Sequence, residues 1–201
     1  MLDARLRRLI DPPLDRIGAR LARHGVGADQ LSLLGFLLGL GAVGLTAAGA
    51  FVPGVALFLS NRLADGLDGA VARATRLTDR GGFLDIVFDF IVYAGMAWAF
   101  AVADPDGNGP AAAFLLFSFM GTGSSFLAFA VMAGRRGLAT EARGKKSLYY
   151  LGGLTEGSET IAFFVVVGLF PGAFPVLAWV FAAMCWLTTA GRIAAGWRLL
   201  G

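Results

Sequence analysis

Asp65, Asp68, Asp85 and Asp89 stand in otherwise apolar sequence, spaced i, i+3 and i, i+4. On helices, each spacing puts both carboxylates of a pair on one face. A carboxylate at the centre of a bilayer helix costs about 2.5–3.5 kcal/mol on insertion scales. Four brought together repel one another unless cations lie between them. Oxygen donors without a nearby His or Cys suit Mg2+ or Mn2+ rather than Zn2+. They suffice for two ions sharing ligands about 3.5–4 Å apart, which would polarise a phosphoryl group and stabilise a leaving phosphate. On the same face Gly69 and Ala72 remove bulk, and Arg73 offers a phosphate fork.

The rest of the chain must bring these groups to a membrane surface. It has 201 residues, of which 15% are charged, and a mean hydropathy of +0.70. That composition predicts an all-α integral membrane protein, and apolar runs without a polar linker predict one domain. Residues 1–26 carry Arg5, Arg7, Arg8, Arg16, Arg20 and Arg23. After Pro12–Pro13, Leu14, Ile17 and Leu21 recur at helical spacing, which predicts an amphipathic helix on an anionic leaflet. Residues 27–201 then read as six spans: 31–52, 55–75, 82–102, 111–134, 155–170 and 174–190. Turns fall at Pro53–Gly54, 78–82 and Pro171–Gly172, and loops at 104–110 (DPDGNGP) and 135–146. Gly35 and Gly39 form a GxxxG pair suited to close helix packing. The lone Cys185 reads as a core residue and His24 as an interfacial one.

The positive charges support that count. Arg62, Arg73, Arg76 and Arg80 surround the second turn. Arg135, Arg136, Arg143, Lys145 and Lys146 follow the fourth span, and Arg192 and Arg198 follow the sixth. The connections near residues 53, 105 and 172 have none. The alternation predicts both termini and the aspartates on the cytoplasmic side, in a bacterial inner membrane.

Asp65-x2-Asp68-Gly69-x2-Ala72-Arg73-x7-Gly81-x3-Asp85-x3-Asp89 closely resembles the signature of the CDP-alcohol phosphotransferases, or class-I CDP-alcohol phosphatidyltransferases. The usual pattern has eight residues between the Arg and the second Gly; here there are seven. The resemblance also covers the six spans and the amino-terminal helix. It implies transfer of a phosphatidyl or similar group from a CDP-linked lipid, CDP-diacylglycerol being the expected donor, to a small alcohol with release of CMP. Asp65, Asp68 and Asp85 would bind a first Mg2+ or Mn2+. Asp65, Asp85 and Asp89 would bind a second, with Asp89 as general base. Asp29, Gln30, Leu31, Ser32, Gly69, Ala72, Arg73 and Thr78 would contact the CDP donor. The partners expected are donor, acceptor, membrane lipids and a second copy of the chain, with no nucleic acid.

Members that use phosphorylated acceptors place arginines at the start of span five. Here that stretch, 153–160, has Glu156, Glu159 and three hydroxyl side chains, and no arginine. An unphosphorylated acceptor is therefore expected, in a pocket with Tyr149, Glu156 and Glu159. The glutamates would equally complement a helix dipole. Two other readings use the same aspartates: an intramembrane prenyltransferase acting on an isoprenyl diphosphate, and a divalent-cation transporter. The first needs two motifs far apart in a longer chain. The second needs carboxylates near the midplane.

Overall fold

The computed structural model describes residues 2–136 and 153–201, with side chains from residue 8 onward. Among these residues the fold is all helical. The helices are α1 Leu2–Arg23, α2 Ala28–Ala47, α3 Phe51–Ala74, α4 Asp79–Ala103, α5 Pro105–Arg135, α6 Gly157–Leu169 and α7 Phe174–Leu200, with a 3-10 turn at Pro171–Ala173. Helix α2 packs against α3 and α4, α1 against α3, α4 against α5, and α5 against α7, while α6 leans on α3.

Helix α2 shows which solvent the bundle is built for. Its buried face is Ser32, Gly35, Gly39, Ala42 and Thr46. Leu33, Leu34, Leu37 and Leu40 are exposed. In water that arrangement would be inside out. In lipid the leucines meet acyl chains, and small residues let backbones approach. Gly35 lies against Ala64 and Asn61 of α3, and Gly39 against Val92 of α4. The GxxxG pair is thus used within the chain, holding together the three helices that carry the site.

Several boundaries differ from the sequence expectation, each for a local reason. Helix α1 starts before Pro12–Pro13 and contains both prolines. Gly49, at φ 78°, makes the α2–α3 turn, and Pro53–Gly54 falls inside the first turn of α3. Proline fits there because a first-turn N–H has no intrahelical acceptor to lose. Asp29 stands in the first turn of α2 but does not cap it. The Gln30 side-chain oxygen accepts from Gly27 N at 2.9 Å instead. The DPDGNGP segment is helix rather than loop. Asp104 caps α5 by accepting from Gly107 N at 3.0 Å, Pro105 occupies the first turn, and buried Asn108 donates to the Phe100 carbonyl at 2.9 Å. The start and stop signals are real but coincide on Asp104, so no loop separates α4 from α5.

Four helical stretches, Ala28–Ala47, Asp79–Ala103, Pro105–Arg135 and Pro171–Leu200, are long and apolar enough to cross a membrane. Helix α3 is long enough but carries Arg62, Asp65, Asp68 and Arg73. Helix α6 has 13 residues, about 20 Å at 1.5 Å per residue, against a hydrocarbon core of about 30 Å. Helix α7 continues past the expected end at 190 to Leu200.

An aromatic core locks α3, α4, α6 and α7 together. Phe100 stacks on Phe174 with centroids 4.3 Å apart, Phe58 meets Phe164 edge-on at 5.6 Å, and Tyr93 lies parallel to Phe164 at 6.3 Å. This last contact fixes the ring at the rear of the candidate site.

Candidate active site

The carboxylates converge where α3 and α4 face α2. Thr78 caps α4, accepting from Gly81 N at 3.0 Å, and so sets where α4 begins. Asp85 and Asp89 then lie along its first half, opposite Asp65 and Asp68. Carboxylate oxygens of Asp65, Asp68 and Asp85 lie within 4.8 Å of one another. Asp89 lines the same cleft. Its wall is the stacked pair Phe36–Phe88, with centroids 4.1 Å apart.

The donor set fits a hard divalent cation. Oxygens on opposite sides of an octahedral Mg2+ stand about 4.2 Å apart, so small side-chain rotations would close the three carboxylates around an ion. Ser32 on α2 steadies one of them, with its hydroxyl 2.5 Å from Asp68 Oδ2. Such outer partners orient ligands and tune their affinity.

Asp89 is held differently. Arg62 Nη1 donates to Asp89 Oδ1 at 2.6 Å and to Tyr93 OH at 3.0 Å, and lies 4.0 Å from Asp65 Oδ2. The Arg62 side chain is only 8% exposed. Its position three residues before Asp65 puts it on the same helix face, a spacing that could have revealed it. As a charge beside the second turn, Arg62 is equally accounted for by membrane topology, which hides this role in the sequence.

Of the expected donor-side residues, Ser32 lines the cleft; the others lie on the first turn of α2, the last turns of α3 and the start of α4. Arg73 reaches back to α1, with Nη2 2.7 Å from Asp15 Oδ1, and its guanidinium stands beside Gly69. Asp29 pairs with Arg80 and approaches Gly81. Gln30 serves the α2 cap, and Leu31 and Ala72 are partly buried.

The expected acceptor residues divide. Tyr149 lies outside the described residues, as do Arg143, Lys145 and Lys146. Glu156 is buried, 5% exposed, and accepts from Gly153 N at 3.0 Å. Glu159 accepts from Glu156 N at 3.1 Å, completing a capping box on α6. A cavity of about 590 Å3 between α4, α5, α6 and α7 has Tyr93, Thr122, Thr155 and Thr160 among its walls, but neither glutamate. Arg192 was expected in a cytoplasmic tail. It is buried instead, 8% exposed, because α7 runs on past it, and Nη1 donates to the Thr122 carbonyl at 2.9 Å.

No family model matches the chain. The Escherichia coli K12 inner membrane protein YnjF is 47% identical over 200 residues, covering 100% of this chain and 97% of that protein. The archaetidylinositol phosphate synthases of Methanothermobacter thermautotrophicus and Pyrococcus horikoshii are 42% and 35% identical over 85 and 101 residues. Those alignments span 42% and 49% of this chain, and 40% and 53% of the enzymes. The fold matches the Mycobacterium tuberculosis phosphatidylinositol phosphate synthase crystallised with CDP-DAG bound, with a TM-score of 0.67 and 24% identity, covering 92% of this chain and 93% of that one. The same enzyme in complex with manganese and citrate gives a TM-score of 0.65. The chain belongs to the CDP-alcohol phosphatidyltransferase family. It is thus a membrane-embedded transferase of phospholipid synthesis, which removes the prenyltransferase and transporter readings. The family signature lies on α3 and α4, so its shortened spacing falls in the connection around residues 75–78 and at the start of α4. The carboxylate faces are unaffected.

Proposed function

We propose that this enzyme transfers a phosphatidyl group from CDP-diacylglycerol to the hydroxyl of an unphosphorylated alcohol, releasing CMP. The observation that carries the proposal is the convergence of Asp65, Asp68 and Asp85, with oxygens within 4.8 Å, in a cleft shared with Asp89. These four carboxylates would hold two ions, Mg2+ or Mn2+, which when bound polarise the diphosphate and stabilise the departing phosphate. Asp89 takes the acceptor's hydroxyl proton. The acceptor oxygen forms a bond to the lipid-bearing phosphorus as the bond from that phosphorus to the oxygen of CMP breaks. Gly69 and Ala72 leave room for the cytidine diphosphate, and Arg73, Thr78 and the 29–32 segment hold it. The crystal structures of the mycobacterial enzyme with CDP-DAG and with manganese support both donor and metal.

The acceptor enters the cavity of about 590 Å3, where Tyr93 joins it to the Arg62–Asp89 pair. No charged residue lines that cavity among the described residues, which supports an uncharged acceptor. One observation favours a second reading, a phosphorylated acceptor: buried Arg192 bonds to Thr122, itself a wall residue. The two archaeal relatives are also named as inositol phosphate lipid synthases. Purified enzyme with Mn2+, CDP-diacylglycerol and a panel of alcohols, read by CMP release and product mass, separates the two. Turnover with sn-glycerol 3-phosphate or inositol phosphate overturns the unphosphorylated acceptor, and retention of activity in Asp89→Ala overturns the mechanism.

The proposal includes six membrane passages in the bacterial inner membrane, with α3 and the short α6 completing the four longer spans. Both termini and the cleft face the cytoplasm, supported by the arginine distribution. It also includes a homodimer, whose face must differ from the Gly35–Gly39 surface already covered within the chain. Cross-linking in native membranes tests the dimer.

A further inference from the structure

Arg62 lies where the cleft needs a cation. Its Nη1 is 2.6 Å from Asp89 Oδ1 and 4.0 Å from Asp65 Oδ2. Those two carboxylates, with Asp85, are the set assigned above to the second ion. Surface arginines swing away from such positions easily, but this one is built in. Its Nε donates to Asn61 Oδ1 at 2.7 Å, and Asn61 Nδ2 donates to the Gly35 carbonyl at 2.8 Å. The guanidinium lies over the Tyr93 ring at 4.8 Å and the Phe58 ring at 5.8 Å. Tyr93 is in turn fixed against Phe164. A guanidinium keeps its charge under all ordinary conditions.

The two halves of the carboxylate cluster are therefore unequal. At Asp65, Asp68 and Asp85 the oxygens lie within 4.8 Å of one another, and Arg62 approaches this group only at Asp65, at 4.0 Å. At Asp89 a fixed positive charge already occupies a ligand oxygen. One divalent ion and the guanidinium would cancel three of the four carboxylate charges. A second divalent ion would make the enclosed cleft net positive and would compete with Arg62 for Asp89. The negative charge of a diphosphate would reverse that balance.

We propose that Arg62 is a resident counter-ion which makes the second metal site conditional. The protein alone takes one divalent ion at Asp65–Asp68–Asp85, and the second binds only together with a cytidine diphosphate group. This rests on the metal-site reading of the carboxylates under the proposed function.

Mn2+ titration of the detergent-purified full chain, followed by the electron paramagnetic resonance signal of free Mn2+, tests it without any turnover. Wild type should bind one ion per chain alone and two with saturating CDP. Arg62→Met should bind two without CDP, the second at least tenfold tighter than in wild type. Should that variant fail to fold, Asn61→Ala and Tyr93→Phe loosen the guanidinium without removing it, and should tighten the second ion severalfold. Two tight ions in wild type without CDP, or no gain at the second site in every folded variant, overturns the proposal. No Mn2+ bound by wild type with or without CDP overturns the metal-site reading itself.

Discussion

Ser32 on α2 and Asp68 on α3 meet at 2.5 Å, a buried bond joining residues 36 positions apart. Asp68 is 7% exposed and is the most enclosed of the four aspartates. A serine expected as a donor contact thereby also orients a carboxylate proposed to hold the first metal ion. Removing such an outer partner typically costs about 10–100-fold in metal affinity or activity. Ser32→Ala should weaken the first Mn2+ by roughly tenfold. Ser32→Thr, which keeps the hydroxyl, should recover most of the loss. Mn2+ titration of both variants is the check; equal loss in both would mean packing rather than the hydrogen bond.

Arg73 is committed to Asp15 in this structure, with both side chains about half exposed. Exposed ion pairs contribute about 0–1 kcal/mol, so a doubly charged phosphate can outcompete Asp15 for the fork. Asp15→Asn should leave the melting temperature within a degree or two of wild type and tighten CDP binding severalfold. Arg73→Ala should weaken CDP binding about tenfold or more. Calorimetric titration with CDP decides. Unchanged affinity in Asp15→Asn would show that the α1 carboxylate does not compete for Arg73.

Legibility followed the physics of each element. The carboxylates and the membrane class were readable because buried charge in apolar sequence is costly, and helical spacing converts it directly into a face. Pro53–Gly54 and DPDGNGP misled because Pro, Asp and Gly serve helix starts as readily as loops. Arg62 was missed because the positive-inside rule supplied a sufficient reason for an arginine near a turn, so no chemical role was sought. Arg192 was missed because α7 was ended too early, at a residue where apolar density falls while tertiary burial continues. Glu156 and Glu159 show the reverse case. The dipole reading weighed against the pocket role placed them at a helix start, where they form a capping box that the sequence reading did not name.

Helix α1 is seated by a close approach that permits no side chain. A Cβ added at Gly18 would stand 2.6 Å from Ala70 Cβ and 2.8 Å from the Ala70 carbonyl carbon. Backbone cannot yield as a side-chain tip can, so Gly18→Val should push α1 off α3. Overpacking costs about 1–3 kcal/mol, or roughly 2–12 °C in melting temperature for a chain of this size. Because Asp15 sits on the same helix, the variant should also tighten CDP binding in the direction of Asp15→Asn. A melting curve and a CDP titration on the same sample test both; an unchanged melting temperature would mean that α1 does not depend on this contact.

The cavity offers the sharpest separation of donor from acceptor chemistry. Tyr93 is one of its walls and also bonds Arg62, whose other bond is to Asp89. On the proposed function, an acceptor standing there would approach the Arg62–Asp89 pair past Tyr93, whereas the donor nucleotide would approach from the Gly69–Arg73 side. Ala94, one residue beyond Tyr93, lines the cavity, and Ala94→Trp would fill part of it without touching a carboxylate. Overpacking of a roomy cavity should stay near the low end of about 1–3 kcal/mol. CMP release driven by acceptor should fall at least tenfold, with the rise in acceptor KM larger than the fall in kcat. CDP affinity and Mn2+ stoichiometry should stay as in wild type. If the variant instead loses affinity for CDP-diacylglycerol while binding CDP normally, an acyl chain of the donor occupies the cavity and the acceptor must approach Asp89 from another side.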